Sequence, residues 1–118
     1  MQKFNTGEHA APVPQYLASQ MTKIGALLVR LRYAHPMRQE DAAALTGISR
    51  NTAYRIENGD SSVAIGNILR YLEVLSPGAT IGDLFDEGSA TLVTLRLREA
   101  RRRTRVVLKK AIRIEKSE

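Results

Sequence analysis

Five side chains with hydrogen-bonding or stacking capacity crowd into six positions: Arg50, Asn51, Thr52, Tyr54 and Arg55. An arginine fork pairs in bidentate fashion with guanine O6 and N7, and an asparagine amide does the same with adenine N6 and N7. A helix face that only has to meet water favours Glu and Lys. The chemistry these residues suit is therefore recognition of a base edge, provided they stand on one rigid, outward face.

The neighbouring residues supply such a face. Arg38 to Gly59 reads RQEDAAALTGISRNTAYRIENG. Gln39 to Leu45 predicts a short helix whose acids sit in its first turn, where the helix dipole favours them. Gly47 closes it in a left-handed turn. Ser49 offers an N-cap oxygen for a second helix from Arg50 to Asn58, which Asn58-Gly59 stops. Two short helices with a Thr46-Gly47-Ile48 turn have the spacing of a helix-turn-helix. Ala43 is the small residue at the helix crossing. Ile48 and Ile56 are the anchors that hold the second helix against the first.

The rest of the chain reads as further helices. Residues 1–14, with Pro12 and Pro14, show no period and are expected to form a flexible or strand-like arm. Leu17, Met21, Ile24, Leu28 and Leu31 follow a 4-3-4-3 spacing, one apolar helix face. Pro14 suits its first turn, Thr22 could cap a second start within it, and His35-Pro36 ends it. Ser62 is expected to cap a helix from Val63 to Leu75, with Ile65, Ile68, Leu69, Leu72 and Leu75 inward. Ser76-Pro77-Gly78 breaks that helix. Thr80-Ile81-Gly82-Asp83 has the form of a capping box opening a short helix through Phe85. Ala90 to Ile114 contains no Gly or Pro. The expected fold class is all-α.

From about Ile24 to Asp86 the sequence resembles the Cro/C1-type helix-turn-helix regulators, the lambda and 434 repressor-like (XRE) family. The resemblance rests on IGALLVRLR, RQEDAAALTGIS, RNTAYRIENG and the closing IGDLF. It implies a five-helix lambda-repressor-like domain over residues 15–88, followed here by an extra C-terminal helix over 89–118. It implies that Arg50, Asn51 and Arg55 touch base edges, with Thr52 and Tyr54 beside them, and that Gln39, Arg38 and Ser49 meet DNA phosphates. It also implies that Arg32 and Glu57 form a buried ion pair. A carboxylate near a helix C-terminus is disfavoured unless a cation compensates it, which fits. The family binds palindromic operators in double-stranded DNA as dimers. His35-Pro36-Met37-Arg38 departs from the family's usual Gly turn and small apolar residue.

Composition narrows the remaining options. The chain has 118 residues, 43% of them hydrophobic, enough for one modest core. With no Cys it has no disulfide framework, thiolate zinc site or Cys nucleophile. No apolar run approaches a membrane span, and MQKFNTGEHAAPVPQ lacks a secretory apolar core, so a cytoplasmic protein is expected. His9 and His35 stand 26 positions apart, so no metal site is expected. Asp83, Asp86 and Glu87 read as a cap and a turn, Ser61-Ser62 as a cap, and Gly78 and Gly82 form no phosphate loop. Neither catalysis nor a cofactor is expected.

Charge is unevenly spread. Residues 1–95 hold 8 Lys/Arg against 9 Asp/Glu, and residues 96–118 hold 10 against 3. A basic end suits a polyanion. Along it Val93, Leu97, Ala100, Thr104, Val107, Ala111 and Ile114 keep a 4-3 spacing over three heptads, a self-association seam weak at its centre. Leu92, Leu95, Leu108 and Ile112 widen it. Parallel packing of so basic a helix on its copy would be repulsive, so an antiparallel, offset or helix-on-domain arrangement is expected. The alternatives are a helix folded back on its own domain, or one touching DNA flanks or an acidic protein. The leading reading is a bacterial or phage-type transcriptional regulator acting as a homodimer, or a dimer of dimers. The alternative is the antitoxin of a toxin–antitoxin pair, with a toxin as protein partner. No sensor domain is apparent, so small-molecule induction is not expected.

Overall fold

The computed structural model describes residues 12–116, and all regular structure among them is helical. Most of the expected N-terminal arm, residues 1–11, lies outside the described residues. Helix α1 spans Gln15–Ala34, α2 Gln39–Thr46, α3 Arg50–Glu57 and α4 Ile65–Leu75; a 3-10 turn covers Gly82–Phe85, and α5 runs Ala90–Lys116. No described helix is long and apolar enough to cross a membrane. This is the five-helix lambda-repressor-like arrangement with an added C-terminal helix.

The local signals mostly act as their chemistry dictates. Gly47 adopts φ 81° and donates its N–H to the carbonyls of Ala43 (3.0 Å) and Ala44 (3.2 Å). The Ser49 hydroxyl accepts from the Thr52 amide at 3.0 Å, the N-cap of α3. Thr80 and Asp83 cap reciprocally: the Thr80 amide donates to Asp83 Oδ2 (2.9 Å) and the Asp83 amide to Thr80 Oγ1 (3.2 Å).

One local alternative is settled, and three local expectations need correction. Helix α1 is a single helix, because Thr22 donates its hydroxyl back to the Ala18 carbonyl (3.0 Å) instead of capping a new start. Pro14 is its N-cap residue, one position before the first turn. Ser62 does not cap α4, which starts at Ile65 after Ala64; the Ser62 hydroxyl is taken by Asp60, and it accepts from Arg55. The inward face of α4 is also rotated from the expected one. Ile65 and Leu69 are exposed, while Tyr71 is fully buried beside Ile68, Leu72 and Leu75. A tyrosine reads as amphipathic in sequence, and here its hydroxyl has a buried carboxylate to meet.

The core gathers Leu27, Leu28 and Leu31 of α1, Ala42 and Ala43 of α2, Ala53 and Ile56 of α3, the buried face of α4, and Leu84. On α1, Met21 and Ile24 are partly buried against it, and Leu17 is exposed. The first turns of α5 belong to the same core, with Leu92 and Leu95 buried in it. Ser89 anchors that start: it accepts from the Leu92 amide (3.2 Å) and donates to the Asp83 carbonyl (2.8 Å).

Close approach of α1 to α3 depends on Gly25. A Cβ there would stand 2.5 Å from the Glu57 carbonyl oxygen and 2.8 Å from that of Ile56. Both are backbone atoms of α3, so the helices would have to separate. Gly66, in the first turn of α4, has nothing within 4 Å of such a Cβ. Thermal unfolding should therefore separate two identical substitutions. Gly25→Ala is expected to lose about 1–3 kcal/mol through overpacking. Gly66→Ala should be neutral or gain about 0.4–1 kcal/mol by restricting the unfolded chain. Equal melting temperatures for the two variants would contradict this packing.

Candidate nucleic-acid interface

Helix α3 has one side bolted to the domain and one side open. The bolt is Glu57, its last residue. Arg32 on α1 forks onto it, Nε to Oε2 at 2.7 Å and Nη2 to Oε1 at 3.0 Å. The Tyr71 hydroxyl of α4 donates to Oε2 at 2.6 Å, and Gln39 Nε2 of α2 donates to Oε1 at 2.9 Å. The side chains of Arg32 and Glu57 are only 9% and 4% exposed. Arg32 Nη1 donates to the Met37 carbonyl (3.0 Å), so the same guanidinium fixes the turn into α2. The unusual His35-Pro36-Met37-Arg38 turn is thereby held by the cation that holds α3.

Burial pushes the Glu57 carboxyl upward, but the hydrogen bonds from Arg32, Tyr71 and Gln39 outweigh it, and the group titrates below its ordinary 4.5. Burial, then the bond to Glu57, pushes the Tyr71 phenol well above the usual range. Every donor around Glu57 thus favours its charged form.

The open side carries the sequence-derived candidates. Arg50, Asn51 and Tyr54 are exposed and, with Gln39, line a shallow groove at the junction of α2 and α3. Ala53 and Ile56 point the other way into the core. Thr52 is half-buried, with its hydroxyl 2.9 Å from that of Ser49. Arg50 approaches Glu40 at 3.7 Å, and Arg38 spans Glu40 (3.0 Å) and Asp41 (3.2 Å). These are exposed pairs, worth little in water, so they leave both arginines available to a stronger anion.

Arg55 stands apart from that face. Its Nε donates to Asp60 Oδ2 at 2.8 Å and its Nη2 to the Ser62 hydroxyl at 2.6 Å. Asp60 also accepts from the Ser62 amide and hydroxyl. The Ser62 hydroxyl, the Arg55 guanidinium and the Ser62 amide hold the Asp60 carboxyl far below the usual carboxylate range. The sequence placed Arg55 outward without a partner. Nothing in residues 55–62 distinguishes a braced arginine from an extended one, since the brace forms only when the α3–α4 loop turns back.

Gln39 also has a role the sequence did not suggest, as a donor to Glu57. Tyr71 completes that network and was not anticipated at all; its only sequence signal is its place one residue before Leu72 on the apolar side of α4. Of the lone candidates, His35 lies against Arg98 of α5 (2.9 Å), and His9 falls outside the described residues.

The network makes a stability prediction with a definite sign. Arg32→Ala leaves a buried carboxylate without its cation and should cost about 3–5 kcal/mol in denaturant unfolding. A carboxyl whose folded titration lies below its unfolded one adds stability above about pH 4.5, and that stability is lost as pH falls through the folded value. The wild-type melting temperature should therefore drop on acidification below about pH 4.5. Glu57→Gln should start lower and fall less over the same range. Parallel acid limbs for the two proteins would show that Glu57 is not a charged, bonded group.

Residues 30–76, from α1 through α4, match the family described as helix-turn-helix. Comparisons with curated proteins and with solved structures find no match. The matched segment contains every residue of the Glu57 network and of the α3 open face. That match supports a Cro/C1-type (XRE-family) helix-turn-helix regulator that binds DNA.

Proposed function

We propose that this chain is a sequence-specific regulator that occupies a palindromic operator as a homodimer, in the bacterial cytoplasm. The observation that carries this reading is the asymmetry of α3. Its inner edge is locked through Glu57 to three other helices, and its outer edge offers Arg50, Asn51 and Tyr54 around an open groove. A rigid helix with donors on one free side is what insertion into the major groove requires.

In this reading Arg50 and Asn51 read base edges, with Thr52 and Tyr54 adding contacts to methyl groups and sugar. Arg55 reads from its braced pose, having spent Nε and Nη2 inside the protein. Arg38, Ser49 and Gln39, at the N-terminal ends of α2 and α3, meet phosphates. Phosphate contacts fix register and base contacts fix sequence. In a binding-site selection, Arg50→Ala and Asn51→Ala should each cost about 1–3 kcal/mol at one base of each half-site and relax the preference there. Arg38→Ala should weaken all sites alike. If the selected sequence is the same for wild type and Arg50→Ala, the register of α3 in the groove is not the one proposed.

A single helix-turn-helix reads too few bases to find one site in a genome, so a two-fold partner is needed. The seam of Val93, Leu97, Ala100, Thr104, Val107, Ala111 and Ile114 supports self-association. Val93, Leu97 and Val107 are 38%, 54% and 64% exposed, whereas Leu92 and Leu95 on the other side of α5 are buried in the domain. From Ala100 to Lys116 every residue of the helix is exposed, and a lone segment of that length is marginal in water. Because Leu92 and Leu95 complete the core, removal of all of α5 would open the domain. The informative truncation is residues 104–118. It should leave a folded protein that is monomeric by light scattering, where the full chain is dimeric. A truncated protein that is still dimeric would move the interface to the domain itself.

A further inference from the structure

Helix α5 has two chemically opposite sides. At about 100° per residue, the seam residues fall in one sector. Arg98, Arg102, Arg105, Lys109, Arg113 and Lys116 fall almost diametrically opposite, within a sector of about 80°. All six are exposed. No ion pair between any of them and a carboxylate occurs among the described residues; the acid pairs of α5 are Arg30–Glu99 and Arg96–Glu87 instead. At about 1.5 Å per residue the stripe is about 27 Å long, with a cation every three or four residues.

The stripe begins at the C-terminal end of α1. Arg98 Nη1 lies 2.9 Å from His35 Nε2, and Arg102 donates to the Tyr33 carbonyl at 3.3 Å. Tyr33 and His35, at the end of α1, lead directly into Arg38 and Gln39, the phosphate-contacting end of α2 in the proposed function. The first two cations of the stripe therefore sit against the end of α1 that leads into α2.

We propose that this stripe is a second nucleic-acid surface, which tracks the phosphate backbone of duplex DNA flanking the site read by α3. It rests on the proposed DNA-binding reading. Six cations in line, with no acid among them, complement a polyanion that carries one charge per about 1.7 Å of axis. The apolar seam lies on the far side, so self-association and backbone contact do not compete for the same face. Flank contact adds affinity without sequence information, and its signature is counterion release.

The test uses the full chain and a duplex of unrelated sequence, with affinity measured across a range of sodium chloride concentrations. Removing one phosphate-neutralising cation should lower the slope of log affinity against log salt by about 0.9. The triple variant Arg105→Gln, Lys109→Gln, Arg113→Gln should therefore reduce that slope by roughly two to three, with the mass by light scattering unchanged. Arg105→Lys with Arg113→Lys keeps both charges and should keep the slope. A triple variant with the wild-type slope overturns the proposal and leaves the stripe to a partner other than DNA. A triple variant of altered mass also overturns it, because the two sides would then not be independent. Failure of the underlying reading looks different: wild type itself would bind no duplex. Arg50→Ala with Asn51→Ala should lose operator preference while keeping the salt slope on unrelated DNA.

Discussion

Glu57 is a buried carboxylate whose need for partners sets the geometry of the whole domain. It ends α3, where a negative charge opposes the helix dipole, and it is almost wholly removed from water. Such a charge is tolerated only when paired and hydrogen-bonded. The donors come from three other helices, Arg32 of α1, Gln39 of α2 and Tyr71 of α4. Each must arrive in its own direction, so satisfying one carboxylate fixes the mutual placement of four helices. A purely apolar contact at the same place would allow sliding, because dispersion and burial are non-directional.

The same network explains why the backbones lie so close. Gly25 lets α1 rest on the carbonyls of Ile56 and Glu57, which brings Arg32, about two turns further on, within reach of the carboxylate. Arg32 also holds the Met37 carbonyl, so the turn into α2 is fixed by the group that fixes α3. Helix α3 is thus braced at its base, while Arg50 on its outer side meets only an exposed partner, Glu40. Arg55 is the exception, pinned by Asp60 and Ser62 at the edge of that side.

Helix α5 joins two kinds of surface through its periodicity. Leu92 and Leu95 close the core, and Arg30–Glu99 and the Arg102–Tyr33 contact hold the helix across α1. Past that point its apolar and cationic sides run along opposite edges of an exposed rod. The molecule is 76 Å long and about 30 Å across because of this projection.

Residue order dictates the local features. The helices at α2 and α3, the left-handed Gly47 turn, the Ser49 cap and the Thr80–Asp83 box depend on residues within four positions of one another, so their chemistry is legible along the chain. The open face of α3 was legible too, because helical period alone puts Ala53 and Ile56 opposite Arg50, Asn51 and Tyr54. The Arg32–Glu57 pair, 25 residues apart, was legible through family resemblance and not from spacing. Packing in three dimensions is what joins Gln39 and Tyr71 to that pair and makes Ser62 brace Arg55 instead of capping α4. It also assigns Leu92 and Leu95 to the core while Val93 and Leu97 stay exposed. Those outcomes depend on where a loop returns and which side of a helix meets its neighbours. Both are set by contacts between residues distant in sequence, and a one-dimensional period cannot tell which of two adjacent apolar stripes will find a partner.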